Sequence, residues 1–260
     1  MKNRNIKDQI KKLSDWIIAA DKVVVFTGAG VSTESGIPDF RSPGGLWDKY
    51  DPDDFLYQKF IKSEASRKQY WKMHTDLYYT ITQSDPNPGH YACVELEKIG
   101  KLDCVITQNV DNLHQKAGLS DNKVIELHGN AMKVFCLSCN KAYTREAIQE
   151  WLENGIDVPY CEKCNGILKP ATIAFGQAMP VEETLEAEKR SRNCDLFIAM
   201  GSSLVVHPAA FMPLYARQSG ARLVIINLTA TSLDNQADLI ITGKTGEVFQ
   251  QTAARVKENS

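Results

Sequence analysis

Long apolar runs and an excess of charge of one sign are both missing from this 260-residue sequence. No segment approaches the roughly 18 consecutive apolar residues that a membrane-spanning helix needs, so we expect no membrane association. Lys and Arg number 30 against 32 Asp and Glu, a net charge of −2, which disfavours direct binding to nucleic acid. The N-terminal segment also lacks the apolar core of a signal peptide. These absences predict a soluble protein of the cytoplasm.

Cysteine is unevenly spread, and its count of seven is odd. Four of the seven form two Cys-x-x-Cys pairs, Cys136 with Cys139 and Cys161 with Cys164. This spacing predicts a closed four-sulfur site for one structural zinc ion, whereas a catalytic zinc needs an open position. The pattern favours a reducing compartment over a disulfide framework. A zinc ribbon that binds nucleic acid is an alternative, although the neighbouring charges are mixed.

Short apolar runs bounded by turn residues predict four buried parallel strands, at residues 23–26, 104–107, 196–200 and 223–227. Helical patterns lie between them, at 91–99 and 208–218 among others. Alternation of strand and helix predicts an α/β fold, a Rossmann-like doubly wound parallel sheet. The first three strands run into the polar loops TGAG, TQNVD and GSS. Loops at the carboxyl edge of such a sheet form the ligand crevice.

Two regions interrupt the alternation and predict a smaller lobe. Residues 43–88 are rich in aromatic and charged residues and have a helical pattern, and residues 131–170 contain the paired cysteines. We therefore expect one domain of two lobes. The large Rossmann-like lobe comprises 1–42, 89–130 and 171–260, and the small lobe comprises a helical module and a zinc module.

The glycine motif "VFTGAGVST" at residues 25–33 begins as a dinucleotide-binding fingerprint, but Thr33 replaces its third glycine. Gly28 and Gly30 allow main-chain N–H groups to approach a pyrophosphate, and Arg41 is a candidate for a charge-assisted contact with it. By itself the motif leaves a dehydrogenase, a chance pair of glycines and another mode of nucleotide binding open. The missing glycine disfavours the dehydrogenase, as does the lack of a clear acidic residue ending a second strand about twenty residues further on.

Further motifs follow in a fixed order along the chain. They are GIPDFR at 36–41, TQNVD at 107–111, HG at 128–129, the four cysteines, FG at 175–176, GSSLVVHP at 201–208 and INL at 226–228. Together with GAGVS at 28–32, and from about residue 10 to residue 250, the chain closely resembles the sirtuins. These are NAD-dependent protein-lysine deacylases, in which the glycine turn is part of the phosphate loop.

The resemblance implies that NAD is cleaved at its nicotinamide–ribose bond, not used as a hydride acceptor. His128 corresponds to the general base that activates a ribose hydroxyl, and Asn109 is the second catalytic candidate. His74, His90, His114 and His207 have weaker claims to the role of base. The residues expected to bind NAD are Gly28, Ala29, Gly30, Ser32, Ile37, Asp39, Phe40, Arg41, Gln108, Asn109, Val110, Asp111, Gly201, Ser202, Ser203 and Asn227.

The resemblance also implies that an acetylated protein or peptide binds as an added strand between residues 173–177 and 203–207. Its expected contacts are Ile173, Phe175, Gly176 and Val205. The chain departs from the family pattern at Gln177, His207 and Thr229, where an acid, a tyrosine and an acid are frequent. The Tyr and Arg pair associated with acidic acyl groups is missing from residues 46–50, so neutral acyl groups, acetyl first, are expected.

Two rival functions follow from the same motifs. Mono-ADP-ribosyl transfer uses the same cleavage of NAD with a different acceptor, and the presence of His128 argues against it. A zinc-bearing module that binds chromatin or nucleic acid, with NAD as a signal only, is disfavoured by the near-neutral charge. Deacylation to free lysine, nicotinamide and O-acyl-ADP-ribose is the function that we expect.

Overall fold

The computed structural model describes residues 2–40 and 42–259, with side chains from residue 6 onward, so Arg41 lies outside the described residues. The described strands are β1 (Val23–Thr27), β2 (Leu102–Thr107), β3 (Val124–Glu126), β4 (Gly129–Cys136), β5 (Ala142–Thr144), β6 (Leu168–Thr172), β7 (Leu196–Met200), β8 (Arg222–Asn227) and β9 (Leu239–Thr242). The described α-helices are α1 (Lys2–Ala19), α2 (Leu46–Lys49), α3 (Tyr57–Lys62), α4 (Glu64–Gln83), α5 (Pro88–Lys98), α6 (Leu113–Lys116), α7 (Arg145–Glu153), α8 (Val181–Arg192), α9 (Met212–Gln218) and α10 (Thr245–Asn259).

The central element is a six-stranded sheet with the order β3-β2-β1-β7-β8-β9, in which every neighbouring pair is parallel. All residues of β1 and β7 are buried, which explains why these strands are continuous apolar runs and not alternating ones. The order reverses between β1 and β7, so a crevice opens at the carboxyl edge there. The predicted Rossmann-like, doubly wound fold is confirmed.

Helices cover both faces of this sheet. On one face, α1, α5 and α10 contribute buried residues such as Leu13, Leu96 and Phe249 to one core. On the other face, α8 and α9 pack through small or flexible side chains, including Ala187 and Met212. None of the described helices combines the length and apolar character needed to cross a membrane.

A second, three-stranded antiparallel sheet has the order β5-β4-β6. It packs against α4 and α7 through a small core that includes Trp71, Val134, Ile148 and Leu168. Its strands β4 and β6 reach Gly129 and Thr172, slightly beyond the range predicted for the zinc module. The helical character expected of residues 43–88 is present in α2, α3 and α4. The division into lobes at the predicted boundaries stays a prediction.

Candidate functional site

The loops that follow β1, β2, β7 and β8 line one cleft of about 970 Å³. Its walls combine loops of the central sheet with residues of the smaller sheet and of α4. The predicted site residues that line it are Gly28, Ala29, Gly30, Asp39, Phe40, Gln108, Asn109, Val110, His128, Ile173, Phe175, Gly176, Gly201, Ser202, Ser203 and Asn227. Four others, Ser32, Ile37, Asp111 and Val205, are not part of this lining.

The glycine turn after β1 lies against the loop that follows β7. The Gly28 N–H donates to the Met200 carbonyl oxygen at 3.0 Å, and the Gly30 N–H donates to the Gly201 carbonyl oxygen at 2.8 Å. A Cβ atom at position 30 would lie 2.8 Å from that same oxygen, so a side chain would force the loops apart. The loop after β1 and the loop after β7 are therefore joined through their main chains.

Thr33 stands where the dinucleotide fingerprint has its third glycine. Residues Ala29–Ser35 form a short 3-10 helix, and the Thr33 hydroxyl donates to the Gly30 carbonyl oxygen at 2.9 Å. The third fingerprint glycine serves close packing of an α-helix on the strand, and a 3-10 helix replaces that element here. The Asn87 side chain also donates to the Val31 carbonyl oxygen at 2.7 Å, which fixes the turn from outside.

A buried chain of polar side chains supports the loop after β2. The Ser32 hydroxyl donates to Asp111 Oδ2 at 2.6 Å, and the Asn109 amide donates to the Ser32 hydroxyl at 3.1 Å. Asp111 also accepts from the Leu113 N–H at 2.9 Å, and burial raises the pKa of its carboxyl group. Ile37 is buried beside this chain and packs with Leu113. Asn109 thus faces the cleft, while Ser32, Asp111 and Ile37 lie behind it.

His128 lies between the end of β3 and the start of β4, at the junction of the two sheets. Its Nδ1 lies 3.0 Å from the Gln108 carbonyl oxygen. A carbonyl only accepts, so Nδ1 carries the proton and the neutral ring keeps Nε2 as a free base. Burial lowers the pKa of His128, and the bond to Gln108 partly opposes that effect. The ring is therefore oriented and mostly neutral at pH 7.

An aromatic wall continues from the glycine loops towards the smaller sheet. Trp47 contacts Phe40, with ring centroids 5.4 Å apart, and Phe175, at 5.8 Å. Trp47 also approaches Phe55 at 6.3 Å, and Phe55 approaches Tyr70 at 6.0 Å. The sequence motifs predict Phe40 and Phe175 as site residues but do not predict the other three rings, those of Trp47, Phe55 and Tyr70. Only their clustering in residues 43–88 was visible in the sequence.

Further cleft residues lie on α4 and near the start of α10. Tyr70, Met73, His74 and Leu77 line the cleft from one face of α4, and their i, i+3, i+4, i+7 spacing is the only signal of this in the sequence. At the other end, Glu34 accepts from the Gly246 N–H at 2.7 Å. No local pattern predicts that contact, because the two residues are far apart in the chain.

The expected peptide rim contains main-chain groups that are free to pair. The main-chain N–H and C=O groups of Gly176 and Val205 make no hydrogen bond with any other described residue. The Phe175 carbonyl oxygen accepts from the Tyr57 N–H at 2.9 Å. Gln177, one of the departures, accepts from the Ala174 N–H at 3.2 Å and closes the turn. An extended peptide therefore has open main-chain partners on both sides.

The four paired cysteines meet at one point, and their sulfur atoms all lie within 4.8 Å of one another. The Cys136 and Cys164 sulfurs are 3.5 Å apart, and those of Cys139 and Cys161 are 3.7 Å apart. A tetrahedral zinc site with bonds of about 2.3 Å needs sulfurs about 3.8 Å apart, so the arrangement fits zinc. The Tyr143 hydroxyl donates to the Cys161 sulfur at 3.3 Å and lowers the pKa of that thiol to about 6.

The cleft and the cysteine cluster together define the class to which this protein belongs. It is a Rossmann-fold protein with a dinucleotide-type glycine turn, an oriented histidine in the cleft and a separate four-cysteine module. A family model described as the Sir2 family matches residues 28–208.

Similar proteins agree with this class over nearly the full length. A Rhodopseudomonas palustris protein named NAD-dependent protein deacetylase is 43% identical over 245 residues, covering 94% of this chain and 96% of that protein. The Archaeoglobus fulgidus NAD-dependent protein deacylase 2 is 40% identical, with coverage of 97% and 98%. A solved structure of Sir2 with a p53 peptide and NAD⁺ has a TM-score of 0.85 at 38% identity, covering 96% of this chain and 98% of that chain. The chain belongs to the Sir2 family, the sirtuins.

Proposed function

We propose that this sirtuin removes acetyl and other neutral acyl groups from protein lysines, with NAD as co-substrate. The products are free lysine, nicotinamide and O-acyl-ADP-ribose. The observation that carries the proposal is His128, oriented by the Gln108 carbonyl oxygen at 3.0 Å in the same cleft as the glycine turn. A neutral imidazole between a dinucleotide site and an open peptide rim suits transfer of an acyl group from one to the other.

The residues present fit NAD. The Gly28–Gly30 turn and Gly201 let the main chain approach a pyrophosphate closely, and Ala29, Asp39, Gln108, Ser202, Ser203 and Asn227 line the same part of the cleft. Asn109 and Val110, supported by Asp111, Ser32 and Ile37, are assigned to the carboxamide of nicotinamide. When bound, NAD supplies an electrophilic ribose carbon as nicotinamide leaves. Phe40 covers this region and excludes water from it.

His128 acts as the general base in this proposal. Nδ1–H is held by the Gln108 carbonyl, so Nε2 takes the proton of a ribose hydroxyl. The lowered pKa keeps the ring neutral, and thus able to accept a proton, at neutral pH. Asn109 stays at the cleft wall through its hydrogen bond to Ser32 and is assigned to orient the reacting groups.

Acylated lysine binds within an extended peptide in this proposal. The peptide pairs with the free main-chain groups of Gly176 and Val205, next to Ile173, whose N–H donates to the His128 carbonyl oxygen at 2.9 Å. Phe175, of which 43% is exposed, and Val205, of which 50% is exposed, are placed to contact the aliphatic part of the lysine. Main-chain pairing predicts tolerance of many peptide sequences.

The remaining assignments concern the zinc module, the lobes and the location. Cys136, Cys139, Cys161 and Cys164 hold one zinc ion that stabilises the β4–β6 module and takes no part in the reaction.

We propose the two-lobe division given by the sequence. We also propose a cytoplasmic location without direct nucleic-acid binding, supported by seven described cysteines that form no disulfide and by the net charge of −2.

An acetyl-lysine peptide incubated with the protein, with and without NAD, tests the proposal by mass spectrometry. The expected result is loss of the acetyl group only when NAD is present. The rival ADP-ribosyl transfer predicts peptide or protein that gains ADP-ribose and keeps its acetyl group. That outcome, or loss of acetyl without NAD, contradicts the proposal.

A further inference from the structure

Two buried threonine hydroxyls join the carboxyl ends of neighbouring central strands. Thr27 is the last residue of β1, and Thr107 is the last residue of β2. The Thr27 hydroxyl donates to the Thr107 hydroxyl oxygen at 2.8 Å, and both residues are buried. The glycine turn follows directly after one of them, and the loop with Gln108 and Asn109 follows directly after the other. The hydroxyl pair therefore lies where both loops leave the sheet.

One peptide group links this hydroxyl pair to the proposed base. The Asn109 N–H donates to Thr107 Oγ1 at 3.0 Å. The carbonyl of the same peptide group belongs to Gln108, and its oxygen lies 3.0 Å from His128 Nδ1. A peptide group is planar, so a rotation that breaks one of these two bonds also disturbs the other. The Thr107 hydroxyl thus holds the carbonyl that orients His128.

His114, on α6, extends the chain of hydrogen bonds at its other end. Its Nε2 lies 3.1 Å from Thr27 Oγ1. The single hydroxyl proton of Thr27 goes to Thr107, so Nε2 of His114 is the donor in this contact. Burial, followed by the neighbouring His90, lowers the pKa of His114 well below its usual value, so the ring is neutral and carries that one proton.

Packing alone does not account for an imidazole at this position. Only 1% of His114 is exposed, and no described residue makes a hydrogen bond to its Nδ1. Burial of a polar ring costs free energy that an apolar side chain would not cost, and the bond to Thr27 offsets it. The ring of His90, with its centroid 4.8 Å away, orients the ring of His114, and His90 itself accepts from the Asn87 N–H at 3.2 Å.

We propose that His114 is a positioning residue for the deacylation reaction. Through the two threonine hydroxyls it fixes the peptide group between Gln108 and Asn109, and that group sets the orientation and the tautomer of His128. The proposal rests on the proposed function, since it takes His128 as the base. His114 itself contacts neither NAD nor the peptide in this account.

Three substitutions test the chain of hydrogen bonds. His114→Phe keeps a ring of similar shape without a donor, and His114→Gln keeps an N–H donor at the end of the side chain. Thr27→Val removes the hydroxyl at nearly constant shape. Thr252→Val is the matched control for it, because Thr252 is also fully buried but its hydroxyl donates to the Val248 carbonyl oxygen within α10.

The first readout separates kcat from KM on an acetyl-lysine peptide at saturating NAD. His114→Phe and Thr27→Val should lower kcat by about 10- to 100-fold, the effect of a catalytic group misplaced by about 1 Å. KM for the peptide should stay unchanged, since its proposed partners Gly176 and Val205 lie outside the chain of hydrogen bonds. His114→Gln should recover most of the lost kcat, and Thr252→Val should keep the wild-type kcat.

The second readout needs no substrate. Nitrogen NMR of selectively labelled histidines distinguishes the two ring tautomers. In the wild type, His114 should carry its proton on Nε2 and His128 should carry its proton on Nδ1. In His114→Phe, His128 should show a mixture of both tautomers, whereas Thr252→Val should leave its tautomer unchanged.

Each outcome supports or overturns the inference. Wild-type His114 protonated on Nδ1 overturns it without any variant. A His114→Phe protein with wild-type kcat, or with an unchanged His128 tautomer, also overturns it. A His114→Gln protein as slow as His114→Phe assigns the loss to ring shape and contradicts the role of the donor. Failure of the wild type on the acetyl peptide would contradict the proposed function, and the tautomers would still test how His128 is positioned.

Discussion

The contact between the two glycine loops gives a quantitative prediction through Gly201→Ala. Gly201 has φ of +60°, in the left-handed region, and its main chain lies against the turn after β1. A Cβ atom at position 201 would lie 2.4 Å from the Val31 nitrogen and 2.7 Å from the Gly30 carbonyl carbon. Both neighbours are main-chain atoms of the proposed phosphate loop, so neither can rotate away as a side chain can.

Gly220 provides the matched control for this substitution. Its φ is +95°, also left-handed, but a Cβ atom there would meet nothing within 4 Å. Gly220→Ala should therefore lower the free energy of unfolding only through the left-handed backbone conformation, by about 1–2 kcal/mol. Gly201→Ala should lower the free energy of unfolding by a similar amount and by about 1–3 kcal/mol more through overpacking. Because the two loops must separate, the substitution should also weaken the binding of NAD. We expect the dissociation constant of NAD to rise at least about tenfold, equivalent to about 1.4 kcal/mol.

Calorimetric titration with NAD and denaturant unfolding of both variants check the prediction. Gly220→Ala should bind NAD as the wild type does and lose a small part of its stability. Gly201→Ala should lose both stability and affinity for NAD. A Gly201→Ala protein that binds NAD with unchanged affinity would refute the assignment of the loop contact to the NAD site.

The other predictions concern the base, the metal and the pH dependence of folding. His128→Ala should lower deacetylation by about 10²–10⁴-fold, the usual contribution of a general base, while calorimetry finds NAD affinity unchanged. Cys161→Ser should lower the zinc content measured by atomic absorption and lower the melting temperature, because it removes one of four ligands. Burial lowers the pKa of His90 to about 4, so between pH 6.5 and about pH 4 mainly the unfolded state binds that proton. The free energy of unfolding measured in urea should therefore fall by about 2 kcal/mol between pH 7 and pH 5.

Each of these three assignments has its own contradicting result. Full activity of His128→Ala would exclude this histidine as the base. A Cys161→Ser protein with full zinc content would place the metal elsewhere. Stability that stays constant from pH 7 to pH 5 would mean that His90 is hydrated or charged in the folded state.

Features that depend on neighbours in the chain were predictable from the sequence. Buried parallel strands are continuous apolar runs, so the prediction of 196–200 matches β7 to the residue, and the prediction of 104–107 matches β2 except for its first two residues. The two Cys-x-x-Cys pairs predict a four-sulfur cluster because each pair already sets two ligands on one turn. The edge strands β3 and β9 were not predicted, since three or four residues give too little periodicity.

Contacts between distant segments were not predictable in the same way. Glu34 meets the start of α10 at Gly246, and Trp47 meets Phe175, only because the chain folds back over more than a hundred residues. The spacing of Tyr70 and His74 indicated a helix face, but which face turns towards the cleft depends on how α4 packs on the smaller sheet. Thr33 departs from the dehydrogenase fingerprint, and the 3-10 helix that contains it supplies the physical reason.

The fate of the acetyl group tests the central claim most directly. Wild-type protein, NAD and an acetyl-lysine peptide should be sampled over time, with nicotinamide, ADP-ribose species and free acetate each measured by mass spectrometry. The account predicts that nicotinamide and O-acetyl-ADP-ribose appear in equal amounts, matching the deacetylated peptide. Free acetate released without consumption of NAD would contradict it.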